Sequence, residues 1–157
     1  MPYIGERFSM RRSFLVLFLS LSLFGCATPS LNFKLDSTQN LNLGEDQQAY
    51  AVLVRFYQLN ELSAFENASY ESLWKNDSET LGLSLVSRKE LIVDPDSSLS
   101  VSLTKAKATK ALGLVAFYRD YSGKQWKTFQ TISNNAFKRK TLMAIELTES
   151  ELTLERL

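Results

Sequence analysis

Apolar and other residues alternate with a period of two through most of this chain. Leu31, Phe33 and Leu35 alternate with Asn32, Lys34 and Asp36, and Val52, Val54 and Phe56 alternate with Leu53, Arg55 and Tyr57. A period of two sends successive side chains to opposite faces, as in a half-buried strand. Leu91 to Val93 predicts a short third strand, closed by the turn signal Asp94-Pro95-Asp96. Leu99, Val101 and Leu103, spaced by Ser98, Ser100, Ser102 and Thr104, form the cleanest alternation of all. Gly113 to Arg119 is apolar on both faces, as a central strand requires, and a Tyr121-Ser122-Gly123-Lys124 turn joins it to Trp126–Ile132 as a hairpin. Thr141 to Leu147 is the seventh strand, which Leu152 and Leu154 extend. Short strands at hairpin spacing predict a mainly β protein, an antiparallel two-sheet β-sandwich.

One stretch breaks the alternation. Residues 60–82 contain Ser63-Ala-Phe-Glu66 in the form of a capping box, a second cap at Ser69 before Tyr70, Leu73 and Trp74, and Gly82 placed to end a helix after Leu81. The pattern predicts a small helical insertion between strands two and three. Its aromatics Phe65, Tyr70 and Trp74 are expected to pack on the sandwich, and Arg55 and Tyr57 to lie on the second face of their sheet in a structural role. Lys105, Lys107, Lys110 and Lys127 are candidates to guard sheet edges against aggregation.

The N-terminus follows different rules. Basic Arg7, Arg11 and Arg12 precede an apolar-and-serine run from Ser13 to Phe24, then Gly25-Cys26. The run is shorter than the roughly 20 residues of a membrane-spanning helix, so residues 1–25 read as a signal peptide, with Met10 as a possible translation start. Leu23-Phe24-Gly25-Cys26 resembles the lipobox of bacterial lipoproteins, although Phe24 is bulky for that position. The resemblance implies acylation of Cys26, the only cysteine in the chain, and with Ala27 after it, an outer-membrane destination on the periplasmic face. Several acyl chains on one residue anchor firmly where a single chain does not. Residues 26–30 then form a short tether, and 31–157 a single domain.

Composition removes most chemistry. The 132 residues from Cys26 carry 15 basic and 16 acidic side chains, a balance without the basic footprint of a nucleic-acid binder. The chain contains no histidine, and its one cysteine is assigned to the anchor, so Ser-His-Asp and Cys-His catalysis and His or Cys metal sites lack their groups. Neither metal nor cofactor is expected beyond the acyl and diacylglycerol lipid on Cys26, and the protein is not expected to be an enzyme. Small exported β-domains of this kind work by binding, through loops between strands.

The series Val52-Leu-Val-Arg55-Phe-Tyr57-Gln58-Leu59, Phe65, Ser72-Leu73-Trp74, Leu81-Gly82, Asp94-Pro95-Asp96, Leu114-Val-Ala116-Phe117-Tyr-Arg119-Asp120 and Trp126, behind the lipobox, resembles the TssJ (SciN) family of type VI secretion outer-membrane lipoproteins. It departs from that family at Phe56 and in the wording of residues 38–48. The resemblance implies a transthyretin-like sandwich with an added helical element. It also implies a role: tethering the membrane core complex by binding the periplasmic C-terminal region of TssM, with the loop joining the first two strands as a principal contact. The alternative is a transthyretin-like periplasmic lipoprotein that binds a small ligand or another envelope protein, which would need a cavity between the sheets.

In this chain that loop spans Thr38 to Gln48, and Leu41, Asn42, Leu43, Gly44, Glu45 and Asp46 are the candidate partner-binding residues. Two leucines one residue apart in a solvated loop invite burial, either against a partner or back onto the sandwich edge. Glu45 and Asp46 supply rim charge that tunes encounter.

Overall fold

The computed structural model describes residues 29–132 and 140–157. Cys26, the signal peptide and the start of the tether lie outside the described residues. Among the described residues eight strands occur in the order β1 (Ser30–Ser37), β2 (Val52–Leu59), β3 (Leu85–Val93), β4 (Ser98–Thr104), β5 (Ala111–Phe117), β6 (Lys127–Thr131), β7 (Lys140–Leu147) and β8 (Leu152–Arg156). Two helices, α1 (Ser63–Asn67) and α2 (Tyr70–Leu81), with a 3-10 turn at Gly82–Ser84, lie between β2 and β3. The strands form two four-stranded sheets, β4-β1-β7-β8 and β3-β2-β5-β6. This is the expected mainly β sandwich with its helical insertion.

The alternating residues fill the space between the sheets. Leu31, Phe33 and Leu35 of β1 meet Val52, Val54 and Phe56 of β2, with Leu114 and Ala116 of β5 and Met143, Ile145 and Leu147 of β7. Phe33 and Phe56 contact edge to face at 5.2 Å between centroids in this core. Each of the larger side chains contributes about 1.5–3 kcal/mol by leaving water.

β2 and β5 are covered on both faces because the helices lie over the outer face of their sheet. Tyr57, Leu59, Val115 and Phe117 pack there against Phe65, Leu73 and Leu81. The fit at Gly113 is close: a Cβ there would lie 2.7 Å from the Phe65 ring, so the middle of a central strand takes a glycine. Helix α2 starts at Ser69, whose Oγ accepts from the Ser72 amide at 3.1 Å, and stops at Gly82, whose φ of 49° suits a residue without Cβ.

Five expectations need correction. β1 pairs antiparallel with β4 but parallel with β7, in register Ser30↔Lys140 to Ser37↔Leu147, so the sandwich is not wholly antiparallel. Leu152 and Leu154 do not extend β7; they belong to β8, which turns back to pair with it antiparallel. β3 begins at Leu85 rather than Leu91, because an edge strand with one face in solvent tolerates Ser87-Arg-Lys-Glu90. The capping box at Ser63 does not form: α1 is capped at Leu62 without a side-chain bond. Lys127 closes the other end instead, its Nζ donating to the carbonyls of Phe65, Glu66 and Ala68 at 3.2, 2.8 and 2.8 Å. That lysine therefore staples α1 to β6 rather than standing free as an edge guard.

Candidate functional site

The chain leaves β1 at Ser37 and does not re-enter a strand until Val52. Such a loop must still satisfy its backbone groups, and this one does so partly within itself, with Thr38 also bonded to Leu147 O and to the Asp96 amide. The Leu41 amide donates to Thr38 O, Gly44 to Gln48 O, Gln47 to Gly44 O and Tyr50 to Leu41 O. Asn42 and Gln47 adopt positive φ, 50° and 62°, which folds the loop back on itself. At its tip Asp46 accepts from the Tyr50 hydroxyl at 2.6 Å and from the Gln48 amide at 3.2 Å. The Tyr50 bond, then the Gln48 bond, hold the Asp46 carboxyl below the ordinary value, and the same contact raises the Tyr50 phenol. The Arg119 guanidinium lies over the Tyr50 ring at 4.3 Å.

The candidate residues divide into two groups. Leu41 is fully buried and packs in the main core, so of the two readings left open for it the structure takes the sandwich edge. Asn42 is only 2 % exposed; its Nδ2 donates to Ala51 O at 3.0 Å and its Oδ1 accepts from the Arg119 amide at 2.8 Å. These two residues hold the loop. Leu43 and Gly44 are half-buried, and Glu45 and Asp46 are exposed. They line a cleft of about 670 Å³ together with Gln47, Arg119, Asp120, Lys124 and Glu149. Four carboxylates against two cations give the cleft an acidic balance.

Sequence reasoning missed the contributions of Arg119, Asp120, Lys124 and Glu149. They come from the β5–β6 and β7–β8 connections, which the topology brings to the same end of the sandwich as the loop. Asn40 bridges them, donating to Glu149 at 3.1 Å. No group of three or more potential metal ligands occurs among the described residues.

A second polar cluster fixes the helical insertion. Asp77, 5 % exposed, accepts from Arg88 at 2.6 and 2.8 Å and from the Tyr57 hydroxyl at 3.1 Å. Arg55 lies 3.5 Å from the same carboxylate, donates to Glu90 at 2.6 Å and to the Leu73 carbonyl at 2.6 Å, and covers the Phe117 ring at 4.8 Å. Arg55 and Tyr57 thus have the expected structural role, clamping α2 to its sheet. Phe65 is buried, whereas Trp74 remains 48 % exposed beside Phe117.

The fold and site together define a two-sheet β-sandwich that carries, at one end, a loop folded back on itself over an acidic cleft. The chain belongs to the type VI secretion lipoprotein family T6SS-SciN, which includes VasD, EvfM and TssJ and whose model matches residues 29–150. It is 27 % identical to the T6SS lipoprotein TssJ1 from Pseudomonas aeruginosa, with a TM-score of 0.76 over 83 % of this chain and 97 % of that one. Serratia marcescens Lip, a membrane bound component of the Type VI Secretion System, shares the fold at 18 % identity and a TM-score of 0.75, over 81 % of this chain and 96 % of Lip. A chain in the structure described as T6SS protein TssM C-terminal domain (869-1107) from EAEC matches at 21 % identity and a TM-score of 0.67, over 82 % and 99 % of the two chains. None of the curated proteins compared matches this chain.

Proposed function

We propose that this lipoprotein, acylated at Cys26 after removal of residues 1–25, sits on the periplasmic face of the outer membrane and tethers the type VI membrane core complex by binding the periplasmic C-terminal region of TssM. The observation that carries the reading is the family match across residues 29–150. The match to a chain in a structure named for the TssM C-terminal domain supports the choice of partner. Neither a cofactor nor a catalytic step enters the role; the only non-protein group is the lipid.

The contact surface is the tip of the loop, Leu43 to Asp46, with Leu41 and Asn42 positioning it from below. A loop already held by its own hydrogen bonds loses little conformational entropy on binding, so the contacts it makes translate into affinity. The acidic balance of the cleft favours a basic partner surface and speeds encounter.

The test is a pull-down from solubilised envelope with the intact lipoprotein, beside a soluble form lacking Cys26 and its lipid. Recovery of TssM by both baits is the expected result and assigns the contact to the domain. Recovery by neither overturns the tethering role. Fractionation of inner and outer membranes tests the location, and loss of acyl label on Cys26→Ser tests the anchor.

A further inference from the structure

Among the described residues the sandwich is closed along one side and open along the other. On the closed side β6 and β8 meet through Gln125, whose amide donates to Ser150 O and whose carbonyl accepts from Leu152. On the open side lie the edge strands β3 and β4. Edge strands invite pairing with other chains, and proteins blunt them with charge, proline or bulges. β3 is blunted, exposing Arg88, Lys89 and Glu90. β4 is not: Ser98-Leu-Ser-Val-Ser-Leu-Thr104 contains no charge, no proline and no glycine.

The backbone of β4 is poised for another strand. Ser97 O accepts from Ser37 and the Lys105 amide donates to Pro29 O, so by the alternation of strand hydrogen bonding the odd-numbered residues face β1. The amides and carbonyls of Ser98, Ser100 and Ser102 therefore point out along the free edge. At the end of the strand, the Thr104 carbonyl is already occupied by Gln58 Nε2 at 2.9 Å.

About Val101 the strand reads the same from either end over Leu99–Leu103, and its outer positions, Ser98 and Thr104, both carry a hydroxyl. Pairing β4 with a second β4, antiparallel and centred there, sets Val101 on Val101, Ser100 on Ser102, Leu99 on Leu103 and Ser98 on Thr104. Every apolar residue meets an apolar one on the core face, and every hydroxyl meets a hydroxyl on the outer face, the cross-strand matches that stabilise a sheet. A partner strand of unrelated sequence would match one register by chance, whereas a self-complementary edge satisfies the two-fold rule of isologous contacts at every position. We propose that β4 is a self-pairing edge that joins two copies of this lipoprotein into one continuous eight-stranded sheet.

The two-fold of that pairing runs perpendicular to the sheet. The two copies of β1 run in opposite directions and start at the same height along that axis, so both anchors can reach one bilayer that lies parallel to the joined sheet. Confinement to a membrane raises the effective concentration of copies, which favours a contact as small as one strand pair. The inference does not depend on binding to TssM and survives failure of that reading.

Cysteine crosslinking of the full-length lipoprotein in its own envelope tests it. Val101 sits at a non-hydrogen-bonded position of the proposed pair, where opposing Cα atoms lie about 4.5 Å apart, within disulfide reach. Val101→Cys should give a covalent dimer on non-reducing gels, and adding Ser100→Lys with Ser102→Lys, which sets lysine on lysine, should abolish it. Leu99→Cys alone should remain monomeric, its mate being about 14 Å away along the strands, and Leu99→Cys with Leu103→Cys should restore the dimer. If Val101→Cys reduces the amount of folded protein, co-expressed Ser100→Cys and Ser102→Cys chains read the same register from the solvent face. Equal crosslinking of Val101→Cys and Leu99→Cys, a crosslink to a different protein, or monomer throughout from folded protein overturns the proposal.

Discussion

The side chain of Asn42 and the main chain of Arg119 are joined at 2.8 Å across 77 positions of sequence, so the first loop and the β5–β6 connection form one surface. The same side chain holds Ala51 O at 3.0 Å, and Asn42 tolerates its φ of 50° better than most residues. Asn42→Ala should leave a buried amide and a carbonyl unpaired, costing about 2 kcal/mol or more. Chemical denaturation measures the loss. Hydrogen exchange should show the added protection of residues 41–50 collapsing, and TssM binding should weaken with it.

Leu41 and Leu43 are expected to respond in opposite ways. Leu41→Ser places a hydroxyl in the main core and should destabilise by about 3 kcal/mol. Leu43→Ser, at a half-buried position of the cleft wall, should change stability by less than about 1 kcal/mol and reduce binding to the TssM C-terminal region. Paired melting and titration experiments on both variants separate scaffold from contact. A Leu43→Ser variant that melts early and binds normally would reverse the assignment.

Acid should loosen the helical insertion through Asp77. Burial opposes its ionisation, but bonds from Arg88 and Tyr57 and the charges of Arg88 and Arg55 outweigh that and hold its carboxyl below the ordinary 3.8. A carboxylate whose pKa falls on folding adds stability that is complete above its unfolded value and is lost as pH drops through its folded value. Urea midpoints should therefore fall as pH is lowered below about 4. Asp77→Asn should flatten that part of the profile and cost about 3 kcal/mol near neutrality, since Arg55 and Arg88 lose their shared counter-ion.

Gly113 and Phe65 form a matched pair. Gly113→Ala should force the ring away from β5 at a cost of about 1–3 kcal/mol. Combining it with Phe65→Leu should recover part of that loss, a coupling that a double-mutant cycle reads directly.

The two-sheet core was legible because β1, β4 and β7 each turn one face to the core, and that writes a period of two into the sequence. β5 was legible for the opposite reason, being covered on both. What escaped was decided by partners remote in sequence. Nothing in residues 30–37 or 140–147 shows that β1 and β7 run parallel, because either direction buries the same side chains. The polar start of β3 reads as loop until the helix that flanks it is known. The burial of Asn42 depends on Arg119, and the acidic cleft gathers residues from three connections. Asp77 did leave a signal: Leu73, Asp77 and Leu81 recur every four residues, an acid on the apolar stripe of a helix, where only a paired carboxylate is stable.

β1 begins just after the proposed N-terminal tether and finishes where the loop proposed to contact TssM starts, so one eight-residue strand links the two. It lies between β4 and β7 and is hydrogen-bonded along both flanks. Tension drawn between tether and loop runs along this strand and loads both ladders at once in shear. No pair at the end of a ladder can be peeled away first, as in a strand pulled sideways. The sandwich is thereby built as a mechanical strut whose central rod is its first strand.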